Sequence, residues 1–199
     1  MNETPLSRLV TTLCLLIGLA LAACSGGAAE PPLKGAAIGG PFALTDQDGR
    51  PATDRQFAGR YRIMYFGFTH CPDVCPTDLA VIGEALRRFE KSDPARAARV
   101  VPIFVSVDPE RDTPAVLKDY VAAFHPRLLG LTGAPRQLAD MTRRYGVYYE
   151  KEPPAAGGGY NVNHSRLAEL IGPQGEPIAL LSYDKGAEAV AAELDRWVK

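Results

Sequence analysis

Charge of one sign is what this chain most lacks. Its 22 lysines and arginines stand against 23 aspartates and glutamates, a formal net charge of −1 over 199 residues. A nucleic-acid binder needs a basic face, and there is no basic excess to build one. Internal repeats are absent as well, so the folded part reads as one domain. The apolar run near the N-terminus, LVTTLCLLIGLALAA at residues 9–23, falls short of the roughly 20 residues that a spanning helix requires. Cysteine is scarce: Cys14, Cys24, Cys71 and Cys75 are all there is. With 46% hydrophobic and 23% charged residues, the composition is that of a soluble globular protein with room for one domain of ordinary size and a targeting segment.

The apolar run has the length of a signal peptide and follows a short n-region containing Arg8. It ends in Leu21-Ala22-Ala23-Cys24, with Ser25-Gly26-Gly27 beyond. That pattern resembles a bacterial lipobox, which implies removal of residues 1–23 and a diacylglyceryl thioether on Cys24. The domain is then expected on the periplasmic side of a membrane, held there by its lipid, in a compartment where disulfides persist. Cys14 leaves with the signal and Cys24 is blocked, so Cys71 and Cys75 remain as a single thiol pair. Residues 24–40 are rich in Gly, Ala and Pro without apolar periodicity, and are expected to form a flexible tether ahead of a domain at 41–199.

Within that domain, Phe42-Ala43-Leu44 followed by Asp48-Gly49 predicts a small hairpin. The runs Arg62–Phe68 and Val100–Val107 predict long buried strands. Helical spacing of Leu79, Ile82, Leu86 and Phe89 predicts a helix from about Cys75 to Lys91. Thr113-Pro114 reads as an N-cap and first-turn proline, and a further helix is expected over Pro135–Tyr145. Val147–Lys151 should be extended and Glu152–Asn161 a loop. Ser165–Ile171 and Pro177–Ser182 predict a hairpin, and Glu188–Val198 a closing helix. Strand–helix alternation ending in a hairpin and a helix implies an α/β fold of thioredoxin type, a central sheet flanked by helices behind an N-terminal hairpin.

The chemistry concentrates in Phe66-Gly67-Phe68-Thr69-His70-Cys71-Pro72-Asp73-Val74-Cys75-Pro76, where a strand gives way to a helix. Side chains four apart on a helix share a face, so the two sulfurs can converge on a metal ion or on each other. The helix N-terminus is expected to favour thiolate, the form that does either job. Spacing alone leaves metal binding and redox exchange open. Tyr160-Asn161-Val162-Asn163-His164-Ser165 decides between them. In thioredoxin-type reductases the loop facing the cysteines carries a proline before the next strand; here that position, entering a strand at Ser165, offers His164. Two thiolates and an imidazole suit Cu(I), whereas zinc would want a fourth ligand. The set carries −2 before metal, −1 with Cu(I) and zero with Cu(II), so either oxidation state can be held.

FTHCPDVCP, VDPERDTP at Val107–Pro114 and the late histidine together resemble the Sco/SenC family, membrane-tethered copper chaperones for cytochrome c oxidase assembly. The resemblance covers about Pro41 to Lys199. It implies Cys71, Cys75 and His164 as copper ligands, an upstream copper donor, and delivery toward the binuclear copper centre of oxidase subunit II. It also leaves a second activity open, thiol-disulfide reduction of that subunit by Cys71 and Cys75. Where family members often carry Asp before the histidine, this chain has Asn163. His70 and Asp108 are candidates, with Asn163, for shaping the site from behind the ligands. The charged loop from Asp108 to Asp112 reads otherwise as a solvated turn, Asp73 as a cap or partner contact, and His125 as a helix-end residue. Met64 and Met141 are expected in the core. A peroxidase would need an arginine and a threonine around its cysteine, and no matching arginine stands out.

Overall fold

The computed structural model describes residues 29–154 and 158–199, and the compact unit within it begins at Pro31. The proposed signal peptide and Cys24 lie outside the described residues. Strands β1 (Ala43–Asp46) and β2 (Pro51–Thr53) pair antiparallel as the expected hairpin. Asp46 closes its tip by accepting from the amides of Asp48 and Arg50 at 2.9 and 2.8 Å, and Gly49 takes the left-handed φ of 78° that the turn needs. Strand β3 (Tyr61–Gly67) is buried at every position and leads into helix α1 (Val74–Ser92) and the one-turn helix α2 (Pro94–Ala97). Strand β4 (Val100–Ser106), equally buried, runs parallel to β3. Helix α3 (Pro114–Ala122) starts as its sequence dictates, Thr113 Oγ1 accepting from the Val116 amide with Pro114 in the first turn. Strand β5 (Leu129–Thr132), helix α4 (Pro135–Arg144) and the short strands β6 (Tyr149–Lys151) and β7 (Val162–His164) follow. The β8 (Ala168–Ile171) and β9 (Pro177–Leu180) hairpin and helix α5 (Ala187–Trp197) close the chain.

Seven strands form one sheet in the order β2-β1-β5-β4-β3-β8-β9, with the parallel strands β3, β4 and β5 at its centre. One face presents Tyr65 and Phe104, whose rings stack at 6.4 Å, and Gly130 beside them; α1 and α3 cover it, α1 also packing on α5. The other face presents Phe66, whose ring meets Tyr145 at the end of α4 at 5.7 Å. A continuous apolar core fills both interfaces, and Met64 and Met141 belong to it as expected. Each fully buried Phe, Leu or Ile contributes about 1.5–3 kcal/mol of transfer free energy.

Two boundaries differ from the sequence reading. The chain docks on the domain from Pro31, not Pro41: the Leu33 amide donates to Ile178 at 3.0 Å and that of Gly39 to Arg144, while Ile38 packs on the core. Low apolar periodicity hid this, since one isoleucine and a few backbone hydrogen bonds suffice to seat the segment. Secondly, His164 does not sit in a loop entering a strand at Ser165. It ends β7, which pairs with β6 as a separate two-stranded ribbon (Tyr149 opposite His164), and the main-sheet strand starts only at Ala168. The extended segment after α4 needs a partner for its backbone groups, and β7 supplies it. Among the described residues no helix is long and apolar enough to cross a membrane.

Candidate metal centre

Strand β3 ends at Gly67, and the turn that follows places Cys71 just ahead of α1 and Cys75 in its first turn. The turn is pinned from the loop that follows the neighbouring strand β4. Asp112, fully buried, accepts from the Thr69 amide at 3.0 Å, from Thr69 Oγ1 at 2.6 Å and from Ser106 Oγ at 2.5 Å. Gly67 is required for a different reason: a Cβ there would lie 2.9 Å from Cys75 Sγ and 3.1 Å from the Phe104 ring. The sulfur therefore occupies the space where any other residue would put its side chain.

Both cysteines are free thiols, Cys75 completely buried and Cys71 9% exposed. The Cys75 amide donates to Cys71 Sγ at 3.4 Å, and Cys75 Sγ lies 3.3 Å from His164 Nε2. The three ligand atoms offered by Cys71, Cys75 and His164 all fall within 4.8 Å of one another, so the structure brings together the three residues singled out from sequence. His164 Nδ1 is 3.0 Å from the Ser165 carbonyl, which can only accept. Nδ1 therefore carries the proton, and the Nε2 lone pair faces the sulfurs. Burial lowers the imidazole pKa, keeping the ring neutral near pH 7. Phe68 meets that ring edge-on at 5.9 Å.

At Cys75 burial opposes the thiolate that the helix N-terminus favours. Burial pushes that thiol up to about 12, and the helix N-terminus does not offset it. The remaining candidates divide. Asp108 is 3% exposed and pairs with Arg111; its Oδ1 accepts from the Tyr160 hydroxyl at 2.7 Å, so it acts on the segment leading to His164 and not on the three ligand atoms. Together with Asp112 it corrects the picture of a solvated turn, because a loop at the end of a central strand is covered by what folds over it. His70 is half exposed, with Nδ1 3.1 Å from Thr69 Oγ1 and 3.7 Å from Asp112, and is not among the converging groups. Asn163 is exposed on β7 and lines a cleft of about 240 Å³ with Cys71, Asp73, His164 and Arg166. Asp73 occupies the N-cap position of α1 without a side-chain capping bond. His125, 2% exposed, lies 3.3 Å from Glu90, away from the site.

Three residues near the site escaped the sequence reading. Tyr160 is sandwiched between the Arg111 guanidinium at 3.7 Å and Lys151 Nζ at 3.8 Å from its ring centre. Asp78 and Arg166 form a two-pronged ion pair, at 2.7 and 3.2 Å, between α1 and the segment after His164. Asp78 alone left a signal, a charge within the apolar stripe of an amphipathic helix.

Two thiols at a strand-to-helix junction, faced by a neutral imidazole across an α/β sandwich, define a thioredoxin-like protein with a candidate soft-metal site. A thioredoxin domain of a thiol-disulfide oxidoreductase from Bacteroides vulgatus, 13% identical with a TM-score of 0.57 over 83% of this chain and 98% of that one, shares the fold alone. The SCO1/SenC family model matches residues 30–199, and the chain belongs to that family. It is 44% identical over 146 residues to the mitochondrial SCO1 homolog 1 of Arabidopsis thaliana, covering 73% of this chain and 42% of that protein. With the mitochondrial SCO2 homolog of Mus musculus it shares 41% over 167 residues, 83% of this chain and 65% of the relative. The chain thus spans between two fifths and two thirds of the length of these relatives. Among solved structures, copper-bound ScoI of Bradyrhizobium japonicum is 44% identical with a TM-score of 0.73, covering 80% of this chain and 99% of that one. Copper-bound yeast Sco1 is 34% identical with a TM-score of 0.74, covering 81% and 88%.

Proposed function

We propose that the chain is a copper metallochaperone that holds one Cu(I) through Cys71, Cys75 and His164 and passes it to a cytochrome c oxidase. The observation that carries this reading is the convergence of two sulfurs and an unprotonated Nε2 within 4.8 Å. Soft thiolates with an imidazole favour Cu(I), and three ligands leave the ion reachable by a recipient. Relatives described as copper-bound Sco proteins support the choice of metal. The cleft beside Cys71 and His164 gives a recipient's ligands a way in. The recipient in this reading is the binuclear copper centre of oxidase subunit II. Lipid on Cys24 and the short segment before Pro31 tether the domain on the periplasmic side.

The experiment is an anaerobic Cu(I) titration of the reduced chain against a competing chelator, with X-ray absorption of the product. One tightly held equivalent with two sulfurs and one nitrogen is expected, and His164→Ala should weaken it sharply. Failure to compete with the chelator, or unchanged binding by His164→Ala, would overturn the assignment. A second activity has its own support: the Cys75 amide already sits 3.4 Å from Cys71 Sγ, on a fold shared with a thiol-disulfide oxidoreductase. Disulfide exchange that survives His164→Ala would assign the pair to thiol reduction, the dithiol giving up two electrons and two protons to a partner disulfide.

A further inference from the structure

His164 stands on a weak foundation. Its strand is three residues long, pairs among the described residues with β6 alone, and belongs to a ribbon outside the seven-stranded sheet. Such a ribbon has little independent stability. The sulfur it faces, by contrast, sits on α1, the longest helix among the described residues. Nothing in the ladder hydrogen bonds fixes the distance between the two.

We infer that the Arg166–Asp78 ion pair is the device that holds His164 on Cys75, making Arg166 a positioning residue for the copper site. Arg166 lies two residues after His164, and Asp78 lies three after Cys75, one helical turn along and on the same side of α1. The Arg166 guanidinium spans both Asp78 oxygens, Nη2 to Oδ1 at 2.7 Å and Nε to Oδ2 at 3.2 Å. Each partner is anchored again from a third element. The Tyr65 hydroxyl of β3 donates to Asp78 Oδ2 at 2.8 Å, and the Tyr183 hydroxyl donates to the Arg166 carbonyl at 2.5 Å. The Arg166–Asp78 pair and the Cys75–His164 contact are therefore parallel rungs between the same two segments, 88 and 89 residues apart in sequence.

Chemistry favours a clamp over an incidental surface pair. The Asp78 side chain is only 4% exposed, so the pair is desolvated on one side, and its geometry is a paired fork that a lysine, with its single point charge, reproduces only in part. The Arg166 side chain is 48% exposed and can be changed without opening the core. Groups that orient a metal-binding histidine are typically worth about 10–100-fold in affinity, and the lower end fits a clamp acting two residues away.

This inference rests on the copper reading above, and the test separates the two. Cu(I) affinity is measured by chelator competition on the reduced full chain for wild type, Arg166→Gln, His164→Ala and the double variant. The melting temperature of each metal-free form serves as a folding control. Arg166→Gln should weaken Cu(I) about tenfold and diminish the nitrogen contribution in X-ray absorption. In the His164→Ala background the same change should alter affinity less than about twofold, because the clamp acts only through the histidine. Arg166→Lys should recover part of the loss. Asp78→Asn combined with Arg166→Gln removes the stranded carboxylate and should still bind about tenfold more weakly than wild type. If Arg166→Gln binds as wild type, or loses as much without His164 as with it, the clamp is refuted while the ligand assignment stands. If His164→Ala itself binds copper as wild type, the assignment falls, and the clamp with it.

Discussion

Glu169 offers the clearest test of how this fold bears its buried charge. It lies at the centre of β8, opposite Met64 on β3 and Leu180 on β9, with no solvent exposure and no hydrogen bond to either carboxylate oxygen. Arg62 of β3 and Tyr145 at the end of α4 lie nearby, yet neither bonds it, and burial alone raises its pKa from 4.5 to about 8. Because the folded state binds this proton more tightly than the unfolded chain, the effect is absent below pH 4.5. Stability is lost as pH rises from 4.5 through 8, and levels off above. At ~1.4 kcal/mol per pH unit the full displacement amounts to at most about 5 kcal/mol, and relaxation toward water or Arg62 should reduce it to about 2–4 kcal/mol. The assay is urea unfolding of the reduced, metal-free chain at pH 5, 7 and 9, for wild type and Glu169→Gln. At a typical urea slope, the wild-type midpoint should fall by about 1–2 M relative to the variant across that range. The difference between the two profiles isolates this one carboxyl from every other titrating group. A difference that stays flat from pH 5 to 9, or changes in the opposite direction, would refute the reasoning.

Three further outcomes are expected around the site. Gly67→Ala forces a Cβ to within 2.9 Å of Cys75 Sγ, and should destabilise the chain by about 1–3 kcal/mol and weaken Cu(I) binding, both read from urea midpoints and chelator competition. Asp112→Ala strands the buried Ser106 hydroxyl and releases the Thr69 amide and hydroxyl, costing about 2–4 kcal/mol in chemical denaturation. Tyr160→Leu removes the stack between Arg111 and Lys151 and the bond to Asp108; hydrogen exchange in β6 and β7 should quicken by about tenfold while the central strands keep their protection.

The sequence exposed the parts of this protein whose cause is local. Runs of apolar residues marked β3 and β4 because both faces of a central strand are buried. Thr113-Pro114 marked the start of α3 because cap chemistry is confined to four residues. The two cysteines were legible from their spacing, and His164 from its place in the chain, since a candidate donor set is defined by residue type. What holds the ligands in place was not legible. Asp112 reaches back 43 residues to Thr69, Tyr160 back 52 to Asp108, and Arg166 back 88 to Asp78. No periodicity encodes such pairs: Asp78 shows as a charge in an apolar stripe, but nothing in the sequence says which residue it meets, and only the crossover connections of the sheet bring the partners into contact. The raised pKa of the Cys75 thiol has the same origin. A helix N-terminus is visible in sequence and favours thiolate, but the desolvation that outweighs it comes from strands and loops distant in the chain. A site on this fold is thus assembled from two kinds of information. Ligand identity is written in short motifs, whereas ligand geometry is set by long-range pairs that can vary between relatives while the motif stays fixed. Arg166→Gln and His164→Ala probe one kind each, which is why their combination, and neither alone, can tell whether this chain tunes its copper affinity outside the motif.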